Sequence, residues 1–303
     1  MRGIVVETAA KVNLCLRVLG RRSDGYHHVQ TILQTIGLWD RLHLAALPGP
    51  GRVTLEVDSA EVPSGESNLC WGAAHALVEH VSPAAGAAIR LEKAIPVGAG
   101  LGGGSSDAAA TLVGLARLWG CQHEAEALPE LAARIGADVP FFLRGGCCLA
   151  QAKGDELSEC GAVSAWLVLV VPDMRVSTRE AYEGLGRSVE SRPPARLTPE
   201  VRRVMEAIEE GDAEGIARAL HNDFEDLELP AVERARQAKT DITAAGCLGA
   251  GLSGSGSAVF GIAPDREAAE EAARRLREKW EWVKVVRTVP PGENILVMDA
   301  EER

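Results

Sequence analysis

Short runs rich in Val, Ile and Leu open the chain: Ile4 to Thr8, Val12 to Val18, Val29 to Leu38, Arg41 to Leu47 and Arg52 to Val57. Gly, Pro or Asp separates all but the first two, so they read as strands. Trp71 to Val81 reads as a helix, with Asn68 as its cap. Ala87 to Lys93 is a further strand, and an Ala- and Leu-rich helix follows from about Asp107 to Trp119. A second helix, about Glu124 to Ile135, and a strand at Cys147 to Ala152 complete this half. Trp166 to Val171 is continuously apolar, as a strand covered on both faces would be. Helical spacing recurs at Pro199 to Glu210, Ala213 to Asn222, Ala231 to Ala245 and Asp265 to Lys279. Ser257 to Ile262, Trp282 to Val289 and Asn294 to Asp299 read as strands, and Ser188 to Pro194 as a loop. Strands and helices are mixed without strict alternation, which gives an α+β class. A length of 303 residues suits two domains of ~150 residues, with the boundary expected in the 153–162 segment.

Composition narrows the partners. Asp plus Glu number 43 against 32 Lys plus Arg, a net charge of −11. That argues against a nucleic-acid partner, which needs a basic face. It leaves room for an anionic small molecule, because a few cations can reverse the sign inside one cleft. The uncharged run Cys160 to Pro172 is too short to span a bilayer, and the N-terminal residues lack an apolar stretch of signal-peptide length. The seven cysteines have no C-x-x-C pair, so reduced, buried thiols in a cytoplasmic protein are expected.

Two glycine runs carry the candidate chemistry. Pro96-Val97-Gly98-Ala99-Gly100-Leu101-Gly102-Gly103-Gly104-Ser105-Ser106 opens a helix. Few Cβ atoms let backbone N–H groups approach a ligand, and the helix start adds unpartnered donors that favour phosphate. The run has no Gly-Lys-Ser/Thr, so it is not a nucleoside-triphosphatase loop, and the chain lacks the His-Arg-Asp and Asp-Phe-Gly of protein kinases. Gly98-x-Gly100-x-x-Gly103 fits the dinucleotide fingerprint only formally, because no acidic strand end follows at the required distance. The second run, Gly249 to Ser257, precedes a strand and so lacks the helix dipole. Tight packing against the first loop or a ligand is its functional reading, and a plain glycine hairpin the alternative.

Alternation puts Lys11 and Asn13 of Ala10-Lys11-Val12-Asn13-Leu14 on one strand face. Read alone, Lys11 suits an exposed edge strand. Asp138, between Gly136-Ala137 and Val139-Pro140-Phe141, suits a turn or helix cap. Together with the glycine runs they resemble the GHMP kinase superfamily. Within it, Ala10 to Leu14, Gly20-Arg21-Arg22-Ser23-Asp24-Gly25-Tyr26-His27, Pro96 to Ala110 and Gly136 to Phe141 resemble the branch that acts on 4-diphosphocytidyl-2-C-methyl-D-erythritol.

The resemblance implies an N-terminal domain like ribosomal protein S5 over 1–157, a ferredoxin-like C-terminal domain over 158–303, and a substrate cleft between them. It implies ATP with Mg²⁺, and transfer of the γ-phosphoryl group to the substrate's 2-hydroxyl in the non-mevalonate route to isoprenoid precursors. Lys11 and Asp138 would be the catalytic pair. Asn68 and the run from Pro96 through Ser106 would bind ATP. Asn13, Tyr26, His27, Tyr182, Gly254 and Ser255 would bind the cytidine-diphosphate-linked methylerythritol. Ser106 is the candidate metal contact, with Asp107 either joining it or capping the helix. Another GHMP small-molecule kinase, of homoserine or mevalonate type, and a non-catalytic sensor on the same fold are the alternatives. No membrane or nucleic-acid partner is expected.

Overall fold

The computed structural model describes residues 3–189 and 196–300. Of the expected loop Ser188 to Pro194, residues 190–194 lie outside the described ones.

Two long antiparallel strands, β1 (Gly3–Arg21) and β2 (His27–Leu47), form the spine. They replace the four shorter strands expected. Polar Lys11, Asn13 and Asp40 interrupt the apolar pattern, but pairing runs through them, with register shifts at Ala9/Ala10 and Asn13/Cys15. β3 (Val53–Val57) and β4 (Gly86–Glu92) extend the sheet beyond the C-terminal half of β2. α1 (Leu69–Val81), α2 (Gly103–Trp119), α3 (Leu128–Ile135) and α4 (Val139–Arg144) share with them a core containing Leu44, Leu112, Phe141 and Phe142. α2 is covered almost all round, which its run of small Ala residues permits. A 3₁₀ turn, Gln122–Ala127, stands where the start of the second helix was expected. α4 starts just after Asp138, which was expected to be a turn or a helix cap, with Pro140 in the first-turn position where a missing N–H costs nothing. β5 (Cys147–Gln151) and β6 (Glu156–Glu159) pair beside the N-terminal half of β2.

The second sheet is antiparallel, in the order β11 (Val283–Arg287), β7 (Trp166–Val170), β10 (Val259–Ala263), β9 (Gly249–Leu252). With α8 (Pro230–Ala244) and α9 (Arg266–Leu276) the chain runs β7-α8-β9-β10-α9-β11, the βαββαβ path of a ferredoxin-like unit. β7 is central, and its faces split cleanly. Leu167 and Leu169 enter one core, Val168 and Val170 another. This is why its sequence shows no polar alternation. Between β7 and α8 lie α5 (Thr178–Gly184), α6 (Pro199–Glu209), α7 (Ala213–Ala219) and the two-residue β8 (His221–Asn222), which pairs parallel with β1. The helix expected to reach Asn222 thus stops at Ala219. The last strand, β12 (Ile295–Asp299), returns to pair with Ile4 to Thr8 of β1. β1 contributes side chains to all three cores, so both sheets share one spine. All seven cysteines are buried and free of disulfides, and burial pushes the Cys15 thiol up to about 12.

Candidate active site

Lys11 lies in the middle of β1, opposite Thr35 of β2 and with its N–H on the Leu101 carbonyl at 3.0 Å, and is 3% exposed rather than an edge charge. Its ammonium donates to Asn13 Oδ1 at 2.7 Å and to the Gly100 carbonyl at 2.8 Å. Two of its three donors are therefore taken among the described residues, and the cavity holds the third direction. Burial drives its pKa below the ordinary 10.5, and the nearby charge of Asp138 opposes that shift. Asp138 occupies the N-cap position of α4 but makes no side-chain cap bond, so its carboxylate is free of the structural role its position suggests.

The first glycine run wraps over Lys11. Gly102 has φ +73°, and a Cβ there would sit 2.7 Å from the Phe142 ring and 3.0 Å from Lys11 Cγ. Only glycine fits. α2 starts at Gly103 without a side-chain cap, so its first N–H groups are available to an anion. The second run packs onto the first. Ser253 Oγ donates to the Gly100 carbonyl at 2.9 Å, Ala258 N donates to the Ala99 carbonyl at 2.9 Å, and Gly254 N donates to Asn13 Oδ1 at 2.8 Å.

A cavity of about 450 Å³ is lined by Lys11, Asn13, Asn68, every residue from Pro96 to Ser105, Gly254 and Ser255. Asn68 caps α1 as expected, its Oδ1 accepting from Cys70 N at 2.8 Å while its amide donates to the Pro63 carbonyl. Ser106 is not in the cavity. It is fully buried, and its hydroxyl donates to the Ala9 carbonyl at 2.6 Å beside Thr8 Oγ1. This corrects the expectation that Ser106 meets nucleotide or metal: the hydroxyl joins α2 to β1. Asp107 is not a cap either. It is buried against Lys93 at 2.6 Å, and Lys93 also pairs with Asp40. Burial alone would lower the Lys93 pKa, but the two carboxylates raise it, whereas burial raises that of Asp107. Asp40 in turn accepts the Ala94 and Ile95 N–H groups that lead into the glycine run.

A second cavity, about 900 Å³, is lined by Tyr26, His27, Arg21, Arg179 and Arg187. His27 stacks on Tyr182 with centroids 4.7 Å apart, and Tyr182 meets Phe224 edge-on at 4.9 Å. Tyr26 stands at the mouth, 53% exposed, with Lys153 Nζ 5.6 Å from its ring centroid. Burial, helped by Arg21, holds the His27 pKa below 6.5. The two cavities share Ser105, Asp138, Lys153, Thr178 and Tyr182, so Asp138 stands where they meet.

Sequence reasoning missed α5, which carries Thr178 and Tyr182. Its signal is the capping sequence Ser177-Thr178-Arg179-Glu180, with Ser177 Oγ accepting from Glu180 N. It also missed the Asp40–Lys93–Asp107 cluster, whose signal is two carboxylates and a lysine at otherwise apolar positions.

A buried lysine under a glycine loop at a helix start, with an unspent aspartate lining the same cavity, has the charge and donors to position a phosphoryl group. The family model for the GHMP kinases N-terminal domain matches residues 68–146, and that for the GHMP kinases C-terminal domain matches residues 185–281. The 4-diphosphocytidyl-2-C-methyl-D-erythritol kinase of Pelotomaculum thermopropionicum is 41% identical over 285 residues, covering 93% of this chain and 96% of its own. That of Symbiobacterium thermophilum is 39% identical, covering 94% and 99%. A crystal structure of 4-(cytidine 5'-diphospho)-2C-methyl-D-erythritol kinase superposes with TM-score 0.76 at 34% identity, over 93% of this chain and 98% of that one. Homoserine kinase from Cytophaga hutchinsonii, TM-score 0.74 at 20% identity over 98% and 97%, shares the fold. The chain belongs to the 4-diphosphocytidyl-2-C-methyl-D-erythritol kinase family of GHMP kinases. Among the described residues, no helix is long and apolar enough to cross a membrane.

Proposed function

We propose that the chain transfers the γ-phosphoryl group of ATP to the 2-hydroxyl of 4-diphosphocytidyl-2-C-methyl-D-erythritol, giving the 2-phosphate and ADP. One observation carries this reading. The cavity under the glycine run and the cavity walled by Tyr26, His27 and Tyr182 meet at Asp138. The first suits a triphosphate, and the second suits a pyrimidine with a flat face and a hydrogen-bonding edge. The division at 157/158 is part of the proposal, with Ile295–Asp299 counted to the first sheet.

Such a transfer asks mainly for positioning and charge stabilisation. Lys11, fixed by Asn13 and Gly100, holds a γ-phosphate oxygen and meets the growing charge as the bridge to ADP breaks. Asp138 orients the 2-hydroxyl and takes its proton late, as the new P–O bond forms. The N–H groups at the start of α2 hold the remaining phosphates. Among the described residues no cluster of three or more His, Cys, Asp or Glu is built for a metal. Mg²⁺ is usually held by one or two carboxylates together with substrate phosphates. Asp107 Oδ1 is buried, unpartnered among the described residues and part of the cavity lining, so it and Ser105 would meet the ion. Bound with ATP, Mg²⁺ would neutralise the triphosphate.

The test is ADP release from ATP and Mg²⁺ with the cytidylylated substrate, beside 2-C-methylerythritol 4-phosphate lacking the cytidine. ADP release with the first alone supports the reading. Release with neither, from folded protein that binds ATP, overturns it.

A further inference from the structure

The second cavity is strongly basic for a chain of net charge −11. Arg21, Lys153, Arg179 and Arg187 line it, against Asp138 and Glu183. All four cations, Arg187 included, sit on exposed or half-exposed side chains. Arg187 differs, because a buried anion holds it. Asp223 is 2% exposed, and its Oδ2 accepts from Arg187 Nη2 at 3.0 Å and from Val18 N at 2.8 Å. Its Oδ1 lies 3.1 Å from Arg17 Nη1 and 2.9 Å from His221 Nε2. Burial by itself would raise the Asp223 pKa. The His221 and Val18 hydrogen bonds and the two arginines outweigh it and hold the carboxyl below its ordinary value.

The backbone around this carboxylate is fixed from three directions. β8 joins His221 and Asn222 to β1, and the Asn222 amide donates to the Leu252 and Gly254 carbonyls of the second glycine run. Arg21 N donates to the Ser188 carbonyl at 2.9 Å, which ties the segment carrying Arg187 to the end of β1. A guanidinium has five donors in a planar fork. With Nη2 on Asp223, the other donors have no hydrogen-bond partner among the described residues, and the side chain lines the cavity with 37% of its surface open. An arginine held on one edge by carboxylate and open on the other is suited to phosphate.

We propose that Arg187 binds the diphosphate of the cytidylylated substrate, and that Asp223 is the positioning residue that aims it. The inference rests on the reading of the second cavity as the cytidine side of the site. It adds a residue that recognises the phosphate rather than the base.

The experiment compares binding of CDP and of cytidine, by calorimetry or as competitors, in wild type, Arg187→Gln, Arg187→Lys and Asp223→Asn. In wild type CDP binds more tightly than cytidine. In Arg187→Gln that advantage shrinks by about 10-fold, while cytidine and ATP binding are unchanged. Arg187→Lys restores part of it. Asp223→Asn shows a loss in the same direction, and the double variant adds little to Arg187→Gln, as two residues acting as one unit should. If Asp223→Asn does not fold, the Arg187 variants, on a partly open side chain, carry the test alone. Arg187→Gln weakening cytidine and CDP equally, or leaving both unchanged, overturns the proposal and leaves Arg187 a structural ion pair. Wild type that binds neither compound overturns the cytidine reading itself, and this proposal with it.

Discussion

The two glycine runs have similar compositions and opposite uses. Pro96 to Ser105 lines a cavity and ends on the uncapped start of a long helix, so its donors face outward to a ligand. The tip of the Gly249–Ser257 run turns its polar groups inward. Its Ser253 hydroxyl, Gly254 N–H and Gly254 carbonyl all meet protein partners, namely Gly100, Asn13 and Asn222. In the first run glycine leaves the backbone open to the cavity. In the second it lets another stretch of backbone come close. Lys11 lies at the seam, bonded to the first run and to the asparagine that the second run also uses.

The largest effect is expected under the first run. Lys93→Met leaves Asp40 and Asp107 buried and uncompensated, and should cost about 3–5 kcal/mol. Urea unfolding reads this as a fall in midpoint at constant slope. An unchanged midpoint would mean that the run does not depend on the cluster beneath it.

At the seam, Asp138→Asn should lower turnover by ~100-fold or more while leaving the fold intact. It also has a pH signature. Burial lowers the Lys11 pKa and Asp138 raises it, so removing the aspartate charge lowers it further. Lysine is charged below its pKa, and the alkaline fall in ATP affinity should therefore start at lower pH in the variant. Calorimetric titration across pH tests this, and an unmoved fall would separate Lys11 from Asp138.

Gly100→Ala tests the contact between the runs. Gly100 has φ +83°, and a Cβ there would overlap the Ser253 carbonyl oxygen. The two runs must separate, at about 1–3 kcal/mol of stability, and the ATP Michaelis constant should rise with it. Wild-type values for both would show that the second run does not brace the first. The smallest effect is expected for Gly104→Ala. A Cβ there meets only Leu69 Cδ1, at 3.7 Å, in ordinary contact. Helix propensity favours Ala by ~1 kcal/mol, so thermal stability should hold or rise slightly. A marked loss of ATP affinity would show that the ligand comes closer at Gly104 than the cavity suggests.

Much of this was legible in the chain because local chemistry dictated it. The glycines before α2, the alternation that pairs Lys11 with Asn13, and the Asn68 cap each have a short-range cause. The pieces that escaped depend on distant partners. Lys11 suits an exposed edge strand when read alone, yet Gly100 and Asn13 accept its ammonium hydrogen bonds in the interior. Ser106 looked like a ligand hydroxyl because nothing near it in sequence shows that Ala9 accepts its proton. Asp223 lies just past the helix expected over Ala213 to Asn222, and only the fold brings Arg17, Val18 and Arg187 to it.

The return of Ile295–Asp299 to the edge of β1 has a consequence for synthesis. Ile4 to Thr8 leave the ribosome about 290 residues before the partner they pair with. Until then one side of β1 offers unpaired backbone along an apolar stretch, the kind of edge that recruits other nascent chains. Ribosome-stalled chains ending before residue 290 should be cut by protease near that edge and become resistant once residue 299 has emerged. Translation speed over the residues between the two strands, rather than the intrinsic stability of the folded chain, then sets how long each copy is exposed to aggregation.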